Sequence, residues 1–253
     1  MEEMTMAAMD EFRKEREAIK HAPFKEKVNY FWDYYKWYVI IGILVIVALT
    51  SFIYNTVTKK DVLLNGILLN VYQTESDMDG VVKGFYEFEH IDEKKEEISL
   101  NSSLFYQVGS SQSYQALQVL MAWSGAEQLD FITCSDVESM TDLAYRGYFT
   151  DLTEALNPVD VEKYKDLFYY MDEDVMIKRS EAITSGQVKE AFPIPDPTKP
   201  EEMSSPIPVF MKVSDSDLMR KAYGVEDEDI VLGILPNAPH PNMAVRFLNF
   251  IME

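Results

Sequence analysis

Trp37–Tyr54 (WYVIIGILVIVALTSFIY) carries no formal charge, and no other stretch constrains the chain so strongly. At about 1.5 Å of helical rise per residue, the run covers most of a hydrocarbon core of about 30 Å. Inside a bilayer each backbone N–H and C=O needs a partner within the protein, so a single run of this kind is expected to be helical. Gly42 and the Thr50–Ser51 pair do not interrupt it, because a helix satisfies their backbone groups internally. Lys36 closes the run on one side, and Lys59 and Lys60 follow it on the other. The expected organisation is a tail over 1–36, a transmembrane helix over 37–57 in contact with membrane lipid, and an extracytoplasmic domain over 61–253.

Orientation follows from the cations. Arg13, Lys14, Arg16, Lys20, Lys25, Lys27 and Lys36 precede the run, whereas only Lys59 and Lys60 follow before the sequence turns acidic. Positive charge stays cytoplasmic, so the tail is expected inside and the C-terminal domain outside. A cleaved signal peptide is the rival reading. The tail is long for one, it carries eight acids, and no A-x-A-like site follows the run. An uncleaved signal anchor is therefore favoured. Phe24, Val28, Phe31, Trp32 and Tyr35 recur at helical spacing, which fits either an interfacial amphipathic helix or an extension of the membrane helix.

Of the formal −20, nearly all lies beyond Lys60, where 14 cations face 35 acids. Such a surface repels phosphate backbones, and nucleic acid is excluded as an expected partner. One cysteine, Cys134, permits no intrachain disulfide. That is ordinary for an extracytoplasmic domain of a Gram-positive bacterium. Cys134 closes the apolar run LDFITC and reads as a small buried hydrophobe rather than a nucleophile, since no motif links it to His90 or His240.

Beyond Lys60 the pattern alternates. Val62–Val71 reads as a strand buried on both faces, and 77–90 as a helix with Met78, Val81, Val82, Phe85 and Phe88 on its stripe. A second strand near Ile98–Tyr106 precedes a helix with Tyr114, Leu117, Leu120 and Met121 on one side. A third strand, Leu129–Cys134, runs into a capping-box pattern at Ser135–Glu138. This alternation predicts an α/β fold with a mostly parallel sheet. Farther on, a helical turn is expected at Asp151–Leu156 and a helix at Asp160–Tyr170. A proline-rich extended loop follows at Phe192–Pro208, then strands at Val209–Val213 and Ile230–Leu235 with a helix at Ser214–Tyr223 between them. Pro241 opens a final helix.

LDFITCSDVESMTDLAYRGYFTDLTEAL (Leu129–Leu156), with Leu143, Ala144, Gly147, Phe149, Asp151 and Leu152 in the pattern L-a-x-x-G-x-l-x-D-L-t, resembles extracellular solute-binding proteins of the type 2 periplasmic-binding-protein superfamily. The close, AVRFLNFIM (Ala244–Met252), is similar to that family's A-x-x-F-x-x-F helix. The resemblance implies a periplasmic-binding-protein-like lobe, a small solute as ligand, and an ABC transporter permease or other envelope protein as partner. Members of that family close two lobes on a ligand. Here only 147–208 could supply a small second lobe or insertion. The tail segment FKEKVNYFWDYYKW likewise resembles juxtamembrane segments of single-span proteins of low-GC Gram-positive bacteria.

In a doubly wound sheet, ligands lie outside the carboxyl ends of the strands. That edge holds Tyr72, Gln73 and Thr74, then Ser110, Ser111 and Gln112, then Ser135 and Asp136. The serines at 110–113 open a helix, where free N–H groups either meet an anionic ligand or are capped by the serines themselves. Trp123, Tyr145, Tyr148, Tyr169 and Tyr170 offer stacking surfaces, although core packing is the commoner use of such residues. Asp77-x-Asp79-Gly80 lacks the closing acid of an EF-hand, because Tyr86 stands at the twelfth position from Glu75. No zinc-protease, C-x-x-C, nucleophile-elbow, Rossmann or Walker pattern occurs. The leading expectation is a membrane-anchored, solute-binding-like module without catalysis, cofactor or metal. Its rivals are an interaction subunit that has lost ligand capture and an extracytoplasmic hydrolase.

Overall fold

The computed structural model describes residues 23–71, 75–111, 113–185, 193–225 and 228–253. Arg13, Lys14, Arg16 and Lys20 lie outside them, as do Tyr72, Gln73, Thr74 and Gln112. The chain divides into two compact units, Met1–Lys59 and Lys60–Glu253.

In the first unit, α1 (Phe24–Thr58) is one uninterrupted helix of 35 residues. The aromatic stripe from Phe24 to Tyr35 therefore extends the apolar helix and does not form an element of its own. Within α1, Tyr35–Ile53 is long and apolar enough to cross a membrane by length and composition. Trp37, Ile41, Leu44, Ile46 and Phe52 are exposed along it. The Thr50 hydroxyl donates to the Ile46 carbonyl at 2.8 Å, so this polar side chain is satisfied within the helix.

The second unit is a six-stranded sheet with helices on both faces. Its elements are β1 (Asp61–Leu69), α2 (Glu75–Glu89), β2 (Glu96–Asn101), α3 (Ser113–Gly125), β3 (Phe131–Cys134) and α4 (Val137–Ala144). Next come α5 (Leu152–Ala155), α6 (Pro158–Tyr164), β4 (Phe168–Asp172) and α7 (Glu173–Thr184). The chain closes with β5 (Pro206–Lys212), α8 (Asp217–Tyr223), β6 (Val231–Ile234) and α9 (Pro241–Ile251). In strand order β2-β1-β3-β6-β5-β4, β1 pairs parallel with β2 and β3. β6, β5 and β4 join antiparallel. The expected crossover pattern thus holds for the first three strands, and the expectation of a mostly parallel sheet is corrected beyond β3.

A second correction concerns Asp160–Tyr170. The helix stops at Tyr164, and Phe168–Asp172 forms the edge strand β4. Its alternation supports this: Phe168 packs into one core and Tyr169 and Met171 into the other, a period of two that the preceding helical residues concealed. The stretch 147–208 therefore contributes β4 to the common sheet.

The same alternation builds the whole core. Leu64 and Leu68 of β1 and Phe131 of β3 face α2, α8 and α9. Ile67, Leu69, Ile132 and Cys134 face α3 and α4 on the other side. Phe131 stacks on Phe247 of α9 with centroids 4.8 Å apart, and Phe247 meets Phe85 of α2 edge-on at 5.2 Å. The Phe131 ring lies over Gly66, where an added Cβ would come within 2.2 Å of it.

Asp130 is fully buried at the start of β3. It accepts the Asn65 N–H at 2.8 Å and the His240 N–H at 2.6 Å, and the His240 Nδ1 lies 3.2 Å away. Its own carbonyl accepts the Leu235 N–H at 2.9 Å. β1, β3, the end of β6 and the start of α9 are thereby joined at one residue. At the other edge Asp172, also buried, accepts the N–H groups of Ser204 at 2.8 Å and Ser205 at 3.3 Å, pinning the proline-rich loop to β4.

Gly66→Ala should overpack the Phe131 site and cost about 1–3 kcal/mol. Gly80→Ala, with open space around the new methyl group, should be neutral or stabilise α2 by up to about 1 kcal/mol. Chemical denaturation of the detergent-solubilised chain measures both.

Candidate functional site

β1 runs on through α2 on one face and β2 through α3 on the other, so the switch in crossover direction falls between β1 and β3. Outside their carboxyl ends lies a cavity of about 640 Å³. Asn70 follows β1, Ser135 and Asp136 follow β3, and Phe105, Tyr106, Gln107 and Ser110 come from the loop after β2. Of the residues expected at this edge, Ser110, Ser135 and Asp136 meet around one space. Ser111 is exposed and does not line it.

Most of the cavity's polar groups already hold the scaffold together. Asn70, with φ of 63°, turns its amide back along the chain. Its Nδ2 donates to the Tyr106 carbonyl and its Oδ1 accepts the Tyr106 N–H, both at 2.8 Å. The Ser113 hydroxyl donates to the Gln107 carbonyl at 2.6 Å and accepts the Gln107 N–H at 2.8 Å, closing the loop. Asp136, not Ser135, caps α4, accepting the Glu138 N–H at 3.1 Å. Its other oxygen accepts the Ser139 hydroxyl.

Among the described residues, the lining carries two carboxylates, Asp136 and Glu228, and no cation. An anion at the start of α3 is thus disfavoured, and a neutral polar or cationic group suits the space better. Asn70, Phe105, Gln107 and Glu228 were not singled out in the sequence. Asn70 alone left a signal, as an amide near the end of a largely apolar run. Tyr145, Tyr148 and Tyr169 pack in the core instead of lining this cavity, and Trp123 and Tyr170 pack, partly buried, against the core.

Cys134 gives no nucleophile. Burial pushes its thiol up to about 12, and Asn70 Nδ2 and the Asp136 N–H lie against the sulfur at 3.4 and 3.3 Å. His240 sits with Asp130 at the opposite end of β3, about 13 Å along the strand. Among the described residues no cluster of His, Cys, Asp or Glu could hold a metal ion.

Behind the cavity, the Tyr106 hydroxyl donates to Asp142 of α4. Burial, then the adjoining Asp142 carboxylate, push that phenol above its ordinary value. Burial alone would raise Asp142. Hydrogen bonds from Arg146 and Tyr106 and the charges of Arg146 and Arg179 outweigh it and hold the carboxyl below its usual range. Arg146 Nε approaches to 2.6 Å and an Arg179 terminal nitrogen to 3.4 Å.

No protein-family model matches the chain, and no curated protein matches it. Among solved structures it is similar to a sugar transporter from Rhizobium etli in an open conformation, with 11% identity over 75% of this chain and 76% of that one and a TM-score of 0.36. It is also similar to iron-bound HitA from Pseudomonas aeruginosa, with 10% identity over 76% and 81% of the two chains and a TM-score of 0.37. Scores this low carry no argument about function.

Because the folded Asp142 carboxyl lies below its ordinary value, its stabilising contribution is present above that value and lost as pH falls through the folded one. Asp142→Asn should therefore be less stable than wild type at pH 7, and the gap should narrow below about pH 4. Urea midpoints across pH 7 to 3 test this.

Proposed function

We propose that this chain is a single-pass, membrane-anchored protein holding an acidic, solute-binding-like α/β module outside the cytoplasm. The observation that carries the reading is the exposed apolar helix Tyr35–Ile53. Its lysine-rich N-terminal flank supports the inward orientation of the tail. The module's ligand is a small neutral or cationic polar solute, seated outside β1 and β3 against Ser135, Gln107 and Glu228. An ABC transporter permease or another envelope protein is the partner that such a module would serve. The reading involves no catalytic step.

Two observations favour a second reading, an interaction subunit without ligand capture. Asn70, Ser113 and Asp136 spend their polar atoms on internal bonds, and α3 turns Tyr114 and Met121 to solvent at 65% and 66% exposure. Exposed apolar side chains on one helix suit a protein partner.

Alkaline phosphatase fused after Glu253 should be active in intact cells, and the fusion should leave the membrane only with detergent. Recovery of the chain in a detergent-free wash, or an inactive phosphatase beside a fluorescent GFP fusion at the same point, contradicts the anchored topology. In a thermal-shift screen of neutral and cationic solutes, Ser135→Ala should lower the shift that the best solute produces. An unchanged shift removes the site and favours the interaction reading.

A further inference from the structure

A second cavity, of about 660 Å³, lies apart from the sheet edge, between α3, the 145–148 turn after α4, and α7. Its volume falls within the range of small-molecule sites. We infer that it binds an amphiphilic anion, a carboxylate or phosphate monoester carrying an apolar body.

Charge is the first argument. The chain's formal charge is −20, so its long-range field repels anions, and only a local concentration of cations can hold one. Arg146 and Arg179, from different elements, both line this cavity. Two guanidinium groups face the single carboxylate Asp142, which leaves one positive charge in excess in this cluster. Each guanidinium approaches Asp142 through one nitrogen, and a guanidinium offers five donors in a planar fork suited to carboxylate or phosphate oxygens. Asp142 thus acts as a positioning residue that holds the two forks side by side.

The cavity also holds an orphaned hydroxyl. Tyr148 lines the cavity and is 8% exposed, and its hydroxyl is buried with no hydrogen-bond partner among the described residues. An unpaired buried donor costs roughly 1–3 kcal/mol, so such a group calls for a reason. Burial raises its phenol while the Arg146 charge lowers it, which places the hydroxyl within the field of that guanidinium. Tyr148 thus brings an unpaired donor to the wall that carries Arg146.

The remaining wall is mixed, with Ser124, Ser180 and Thr184 beside apolar side chains. Leu117 and Met121 of α3 and Met176 of α7 flank the arginines. Met121 is two-thirds exposed, an unfavourable placement that an apolar body would cover. Methionine adapts its shape to varied ligands. Cations and apolar side chains in one lining together select amphiphiles over inorganic anions.

The test uses the full chain in phosphatidylcholine nanodiscs at 0.15 M salt, titrated calorimetrically with hexyl phosphate, hexanoate, hexanol and inorganic phosphate. Hexyl phosphate and hexanoate should bind, and hexanol and inorganic phosphate should bind at least about tenfold more weakly. Arg179→Gln should weaken hexyl phosphate about tenfold or more. Tyr148→Phe leaves the arginine pair on Asp142 intact and should weaken binding severalfold without lowering the unfolding midpoint, which keeps the test decisive if Arg179→Gln fails to fold. A membrane source and a soluble source for the same head are separated by adding phosphatidylglycerol to the discs, with the surface field screened beyond about 8 Å. Competition by that lipid assigns the head to the membrane, and unchanged binding assigns it to a solute. Hexanol binding as tightly as hexyl phosphate, or both variants binding like wild type, overturns the inference.

Discussion

The module depends on one buried carboxylate. Asp130 stands where the sheet changes from parallel to antiparallel, and its two oxygens receive backbone N–H groups from β1 and from the start of α9. A buried carboxylate is tolerated only when its lone pairs are filled, so its placement fixes the register of β3 against β1 and the entry of α9 together. Phe131, the next residue, then falls between Gly66 and Phe247, and the larger of the two cores assembles on that stack. Polar constraint and apolar packing thus meet within two residues of the central strand.

This explains which parts of the fold could be read from the chain. β1 and β3 are apolar runs bounded by turn signals, and helices α2 and α9 have sustained 3.6-residue stripes, so local pattern located them. The antiparallel half could not be read this way. Whether β6 lies parallel or antiparallel to β3 is decided by the route through β5 and α8 and by Asp130 receiving bonds from distant residues, none of which leaves a periodic trace. β4 was hidden for another reason: Tyr164 to Tyr170 is aromatic enough to satisfy either period, and the change from helix to strand rests on packing partners on both faces of the sheet.

The sheet edge was legible in outline only. Ser110, Ser135 and Asp136 converge because strand ends converge in any such fold, but their side-chain duties were not foreseeable. Asp136 caps α4 in place of Ser135, and Ser113 closes a loop, since local backbone donors compete successfully for short polar side chains. Arg146 and Arg179 lie 33 positions apart and carry no motif. Only the folded chain sets both against Asp142. The electrostatic result is a division of labour: an acidic edge suited to neutral or cationic groups, and a separate recess lined by Arg146 and Arg179.

A solute-binding role requires the acidic module to face the extracellular side. Cys134, the chain's one cysteine, is buried with its thiol pushed up to about 12, so the native protein offers a silent background for thiol labelling. Val159 is 76% exposed on α6. A Val159→Cys variant treated with a membrane-impermeant maleimide should be labelled in intact cells to the same extent as in lysed ones. Labelling that appears only after the membrane is opened would place the module inside and contradict the account.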